Sequence, residues 1–241
     1  MRSDRFAGFL LRKYEVSTPR FFPSPHHCGA DGFLGIGGRL TPEWLLDAYY
    51  HGIFPWPLGD GTLAWFSPDP RAVIEFADFH VSRRLRDTLR SKKFTVTFDQ
   101  DFAGVIDGCA TAHYRSEGTW ITPEMRAAYV RLHKLGHAHS VETWHEGKLA
   151  GGTYGVAVGG LFAAESMFYR VSDASKVAVT RLVEHLQTRG YALLDIQQMT
   201  PNSKRLGATT MPRYEYLRRV AAAVRLPVTF GDGGCEDVGS L

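Results

Sequence analysis

At Ala138 the hydrophobic period of the chain changes from 3.6 residues to 2, and three successive segments then read as strands: Ala138–Trp144, Lys148–Val158 and Leu161–Phe168. They are joined only through Glu146-Gly147 and Gly159-Gly160, connections so short that each strand must lie antiparallel beside the last. A three-stranded meander is therefore the fixed centre of the fold. Helical patterns stand on both sides of it. Thr122-Pro123-Glu124 supplies an N-cap hydroxyl, a Pro at the first helical position and an acid on the positive dipole end. From there Met125, Ala128, Tyr129, Leu132 and Leu135 line one face until Gly136. After the meander a helix carries Val179, Leu182, Val183 and Leu186 inward and stops at Gly190. A buried strand Tyr191–Ile196, a short helix near Pro201–Leu206 and a last helix opened by Pro212 complete the pattern. The order is α+β.

The first 70 residues differ in kind, with Pro-, Gly- and aromatic-rich punctuation and one clear helix that starts at Thr41-Pro42-Glu43 and stops at Gly52. With 241 residues, 44% hydrophobic and 22% charged, the chain has an ordinary globular composition, which excludes disorder as its dominant state. Its longest N-terminal apolar stretch, Phe6–Leu11, falls far short of the roughly 20 residues that cross a bilayer, and no signal-peptide pattern follows it. Three scattered cysteines do not make a disulfide framework, which points to a reducing cytoplasm. The net charge is only +3, but Ser82–Lys93 holds six basic residues against Asp87 alone, leaving the rest of the chain slightly acidic. Clustered cations of this kind suit a polyanionic partner, and a solvated helix face is the plainer alternative.

Several chemistries are excluded by their missing motifs: there is no GxxxxGK[ST] phosphate loop, no dinucleotide fingerprint, no GxSxG elbow and no HExxH. His133, His137 and His139 are interrupted by Gly136 and read as structural groups at a helix-to-strand corner rather than as metal ligands. Cys28, beside His26 and His27, reads as part of a surface turn with no fixed partner to lower its thiol pKa. Two carboxylates fall where burial is costly, Glu165 within Leu161–Phe168 and Asp195 at the end of Tyr191–Gln197. Alternation puts Asp195 and Gln197 on one face of their strand. Each carboxylate is either a satisfied ion pair or cap, or a functional group.

Phe54-Pro55-Trp56, Trp65-Phe66-Ser67-Pro68-Asp69-Pro70-Arg71, Glu117–Thr122, Gly136–Ser140, Glu165-Ser166-Met167-Phe168, Ala174-Ser175-Lys176 and Leu206-Gly207-Ala208 resemble, in that order, the leucyl/phenylalanyl-tRNA protein transferase family, from about Phe22 to Val224. The resemblance implies a small N-terminal domain, residues 1–70, a larger GNAT-like domain of the acetyltransferase type, residues 71–230, and a tail, residues 231–241. It implies an aminoacyltransferase that moves Leu or Phe from aminoacyl-tRNA to the N-terminal Lys or Arg of an acceptor protein, marking it for N-end rule degradation. The expected enzyme is a cytoplasmic monomer that needs no metal or other cofactor. Carried onto this sequence, Trp56, Trp120, Thr153, Phe162, Ser166, Met167, Leu182, Leu186 and Leu194 surround the 3′ adenosine and the aminoacyl side chain. Arg83, Arg84 and Arg90 hold tRNA. Asp195 and Gln197 assist attack of the amine, and Glu165 binds ribose or the basic acceptor side chain. On this reading Asp195→Asn loses most transfer activity and keeps the fold and tRNA binding. Thr153 stands where the family often has Met, so the pocket wall is smaller and carries one polar atom. Leu and Phe are the expected donors, with Met tolerated and β-branched residues used poorly. A different donor, a non-catalytic RNA-binding module and an acetyl-CoA acetyltransferase are the alternatives, the last without a Gly-rich pyrophosphate loop to support it.

Overall fold

The computed structural model of the chain describes residues 19–29, 31–112 and 119–231; the motif residues Glu117 and Gly118, Cys235 and nearly all of the expected tail lie outside them. A small antiparallel sheet is built from β1 (Phe33–Ile36), β2 (Phe54–Pro57) and β3 (Leu63–Phe66) in the order β1-β3-β2. Aromatic anchors hold it, with the Phe22 ring 4.7 Å from Trp65 and Phe21 stacked on Trp44. Helix α1 (Pro42–Tyr50) lies between β1 and β2 in the chain.

The large sheet has seven strands: β4 (Arg71–Ile74), β5 (Thr95–Phe98), β6 (Ala138–His145), β7 (Lys148–Val158), β8 (Leu161–Tyr169), β9 (Leu193–Gln197) and β10 (Thr209–Met211). Their order is β10-β4-β9-β8-β7-β6-β5. The meander β6-β7-β8 is antiparallel, as its short turns require, and β8 and β9 form the sheet's parallel pair. A parallel pair needs a long crossover, and α5 (Ala174–Arg189) supplies it. The expected strand from Tyr191 begins two residues late. Gly190 adopts a left-handed φ of 82°, which turns the Tyr191 N–H back onto Leu186 O and leaves Ala192 N bonded to Gly160 O before pairing starts.

Side chains alternate across the sheet. Tyr154, Val156, Ala163 and Phe168 face one way and pack with α1, α3 (Phe102–Ala110) and α4 (Pro123–Lys134), in a core that also takes Phe54 and Trp65 of the small sheet. Val141, Phe162 and Leu194 face the other way, under α5 and α2 (Arg83–Arg90). The last helix, α7 (Arg213–Ala223), covers β4, β9 and β10 with Tyr216, Leu217 and Val220, and α6 (Pro201–Arg205) stands between β9 and β10 in the chain. Strand β5 and helix α3 carried no clear signal in the sequence, because two glycines dilute the helical pattern of α3. One of them, Gly108, is where the ring of Phe168 crosses so closely that a Cβ would collide with it.

Both carboxylate-bearing strands are irregular at one residue. Tyr154 pairs with Ser166 and Gly155 with Ala164, so Glu165 is the extra residue of a β-bulge. Ala72 pairs with Gln197 and Val73 with Asp195, so Ile196 is the extra residue of a second. The first bulge depends on Gly155, where a Cβ would collide with the Ala163 carbonyl and the Phe162 ring. Gly155→Ala is therefore expected to cost about 1–3 kcal/mol by overpacking, read from chemical denaturation. An unchanged midpoint would show that the bulge relaxes freely.

Candidate functional site

The parallel pairing of β8 and β9 ends at Ala163 and Asp195, and beyond that point the two bulged strands separate. The gap between them is a cavity of about 150 Å³. Its apolar wall is Ile74, Ala164, Met167, Val179, Leu182, Leu194, Ile196 and Leu206; its polar side is Glu165, Ser166, Gln197, Gln198, Thr200 and Ser203. A cavity of about 150 Å³ lined by aliphatic side chains is known to admit a benzene ring, so this one has room for a Leu- or Phe-sized side chain.

Glu165 sits at the polar side with a defined set of partners. Tyr129 Oη donates to its Oε2 at 3.0 Å, and Gln197 Nε2 donates to its Oε1 at 2.9 Å. Behind Tyr129, the Tyr49 hydroxyl lies 2.5 Å from the Tyr129 hydroxyl. Burial, followed by the neighbouring Glu165 charge, pushes both tyrosines well above their ordinary values, so they remain neutral donors. Burial likewise pushes the Glu165 carboxyl up to about 7; the tyrosine hydrogen bonds pull against it, and the nearby Asp195 charge adds to it. Both tyrosines bear on this carboxylate, which also borders the cavity.

Asp195 is in the opposite condition. Its Oδ1 accepts from Arg71 Nε at 2.8 Å and from the Gln197 backbone N–H at 2.9 Å; its Oδ2 accepts from Arg71 Nη2 at 2.7 Å and from Tyr216 Oη at 2.8 Å. Four donors occupy the lone-pair directions of one carboxylate, and both partners of the ion pair are 1% exposed. Arg71 lies between the rings of Phe54 and Tyr216, 4.8 and 4.4 Å from their centroids. Burial opposes the Arg71 charge, but Asp195 and Tyr216 more than offset this and raise its pKa. Asp195 does not line the cavity, while Gln197 does. The link between them is backbone: Gln197 has a left-handed φ of 57°, and its N–H is held by Asp195.

The other site residues expected from the sequence divide in the same way. Thr153, Glu165, Ser166, Met167, Leu182, Leu194 and Gln197 meet at the cavity. Phe162 and Leu186 are buried in the core under α5, Phe162 with its ring 5.6 Å from Phe230. Trp56 and Trp120 stack on each other at 5.1 Å, with Trp56 40% exposed. Arg83, Arg84 and Arg90 are exposed on α2, where Arg84 Nε reaches Asp173 Oδ2 at 3.6 Å. The Thr153 hydroxyl donates to Ser166 O at 3.0 Å, so its polar atom is spent on the strand. The histidines hold a corner: His133 Nδ1 lies 2.9 Å from Ala138 O and His139 Nδ1 2.7 Å from Asp99 Oδ2. Cys28 is buried, not in an exposed turn, and burial pushes its thiol up.

Arg71, Tyr49, Tyr129 and Tyr216 were not singled out as site residues by the sequence. Only Arg71 left a trace, as an arginine opening the apolar run Ala72-Val73-Ile74. Such a charge requires a buried partner, which the sequence does not identify. No group of three or more possible metal ligands occurs among the described residues, and no helix among them is long and apolar enough to cross a membrane.

Comparison with known proteins adds the following. The family model described as leucyl/phenylalanyl-tRNA protein transferase matches residues 73–221, and the model of that family's N-terminal domain matches residues 38–69. The chain is 51% identical over 211 residues to a leucyl/phenylalanyl-tRNA–protein transferase of Nitratidesulfovibrio vulgaris strain DP4, covering 87% of this chain and 90% of the relative. It is 48% identical over 219 residues to the protein of the same name from Azotobacter vinelandii, covering 91% and 96%. Among solved structures, a ribosomal-protein-alanine N-acetyltransferase from Brucella melitensis biovar Abortus 2308 aligns with a TM-score of 0.35 at 17% identity, covering 46% of this chain and 84% of that one. That likeness is too loose to carry an argument.

Proposed function

The chain belongs to the leucyl/phenylalanyl-tRNA protein transferase family, and from that premise we propose that it transfers Leu or Phe from aminoacyl-tRNA to the N-terminal Lys or Arg of an acceptor protein, in the cytoplasm and as a monomer. The observation that carries this reading is the cavity between the separated strands, apolar within and bordered by Glu165 and Gln197. The apolar part takes the aminoacyl side chain. The stacked pair Trp56–Trp120 offers an aromatic face to the terminal base.

The ester of an aminoacyl-tRNA is already activated, so the protein has to align it with a neutral amine and manage one proton. The acceptor α-amine attacks the ester carbonyl carbon, the new C–N bond forms and the C–O bond to the ribose breaks. The proton released from nitrogen passes to the Glu165 carboxylate and from there to the departing ribose oxygen. Gln197 holds Glu165 through its side-chain amide. Asp195, engaged by Arg71 and Tyr216, acts as a positioning residue that fixes the Gln197 backbone. This assigns the base to Glu165 and reserves for Asp195 an indirect role.

Incubation of the protein with tRNA charged with radiolabelled Leu or Phe and an acceptor bearing N-terminal Arg tests the reading. Label is expected to appear in the acceptor and to be absent when the acceptor begins with a non-basic residue. Binding of charged tRNA without any transfer would favour an RNA-binding module and overturn it. The Thr153 hydroxyl is engaged by Ser166 O, and the residue lines the mostly apolar cavity. Thr153→Met fills part of that space. It is expected to lower the use of Phe relative to Leu by roughly ten-fold, the low end of what a small change of pocket shape achieves. An unchanged ratio in a competition between the two charged tRNAs would place the aminoacyl side chain elsewhere.

A further inference from the structure

Helix α6 is two-faced. Ser203 and, just past its end, Leu206 are buried and line the cavity, whereas Lys204 and Arg205 are exposed to solvent. Among the described residues neither cation forms an ion pair. The end of α6 is joined to the approach of α2: His80 N–H donates to Leu206 O at 3.0 Å, and Gly207, with a φ of 87°, packs its backbone against the Asp78 carbonyl. Arg83 follows His80 by three positions, at most about 10 Å of extended chain. The exposed cations of α6 thus stand beside the approach to the exposed cations of α2, with Asp78 the acid on the connecting segment 76–82.

We propose that Lys204 and Arg205 form a phosphate-binding step between α2 and the cavity, contacting the backbone of the RNA whose aminoacyl end occupies it. This rests on the reading of the donor as aminoacyl-tRNA, and it assigns to α6 a task additional to walling the pocket. A polyanion held only at α2 would have to bridge the outer face of α6 to deliver its end to the cavity. Two exposed cations near the end of α6 supply counter-charge to phosphates that pass there.

The test compares wild type, the double variant Lys204→Ala/Arg205→Ala, and a control that removes the same charge from the exposed end of α4, Arg131→Ala/Lys134→Ala. Affinity for charged tRNA is measured as a function of salt. Transfer is measured with charged tRNA and with a phosphate-free 3′-aminoacyl adenosine as donors. The α6 variant is expected to lower the log–log salt slope by about 1.4–1.8, two contacts at about 0.7–0.9 each. It is expected to raise KM for charged tRNA roughly ten-fold and to leave transfer from the aminoacyl adenosine unchanged. A slope equal to wild type, or an equal fall in the α4 control, overturns the proposal while leaving the transferase reading in place. Equal loss with both donors also overturns it, because α6 would then act only as a wall of the cavity. Absence of transfer from charged tRNA by wild type overturns the transferase reading itself, and the proposal with it.

Discussion

Arg71→Met is expected to cost about 3–5 kcal/mol of folding stability, the usual consequence of leaving one member of a buried ion pair without its partner. Arg71 and Asp195 are each 1% exposed, and two of the four hydrogen bonds on the carboxylate come from the guanidinium. The same cost applies in reverse to Asp195→Asn, which leaves the guanidinium between Phe54 and Tyr216 without a counter-charge. A variant expected from sequence to lose activity and keep its fold is therefore expected to lose both. A triple replacement, Arg71→Met with Asp195→Leu and Tyr216→Phe, removes every side-chain partner at once and should regain a large part of the loss. Recovery falls short of complete because the Gln197 N–H loses its acceptor. The measurement is a set of urea or guanidinium denaturation curves. Single variants within about 1 kcal/mol of wild type would mean that the pair is hydrated in solution and does not organise the site.

Glu165→Gln is expected to move activity and stability in opposite directions. The carboxyl is pushed up to about 7 from an ordinary value of 4.5, chiefly by burial. Between those two values the folded state binds more protons than the unfolded state, so stability falls as pH rises through the window. At pH 8 the charge costs on the order of 3 kcal/mol, and the amide removes that cost while preserving shape. The variant should therefore be more stable than wild type at pH 8 and indistinguishable from it near pH 4. Transfer, by contrast, should fall about 100- to 10,000-fold, the usual effect of removing a positioned base. In wild type the rate should rise with pH through a limb near 7 as Glu165 ionises; that limb should vanish in Glu165→Gln. What remains is the limb of the acceptor α-amine, at about 7.7–8.0. A variant with transfer within a few fold of wild type and an unaltered pH profile would remove Glu165 from the chemistry.

The sequence by itself determined the elements whose signals are local. The meander from Ala138 to Phe168 followed from period and turn length, and the helix from Pro123 followed from its cap and its apolar face; both stand in the structure within a residue or two. The α+β class followed from the order of these elements, and the buried carboxylates were conspicuous because charges are rare inside apolar strands. What the two carboxylates do was decided only in three dimensions. Asp195 meets an arginine 124 residues away, and Glu165 meets a tyrosine 36 residues earlier and a glutamine 32 residues later. No spacing rule records such partners, because they are brought together by the parallel crossover of α5 and by pairing of β4 with β9. The bulges at Glu165 and Ile196 were invisible for a related reason. A bulge is a mismatch between two strands, so it belongs to neither strand's own sequence. The sequence could mark Phe162 and Leu186 as apolar, but which apolar residues on that side of the sheet border the cavity depends on where β8 and β9 part, and that separation leaves both residues in the core. Local periodicity and chain chemistry thus specified the elements and the unusual charges, while long-range pairing decided which of those charges is locked and which remains open to a ligand.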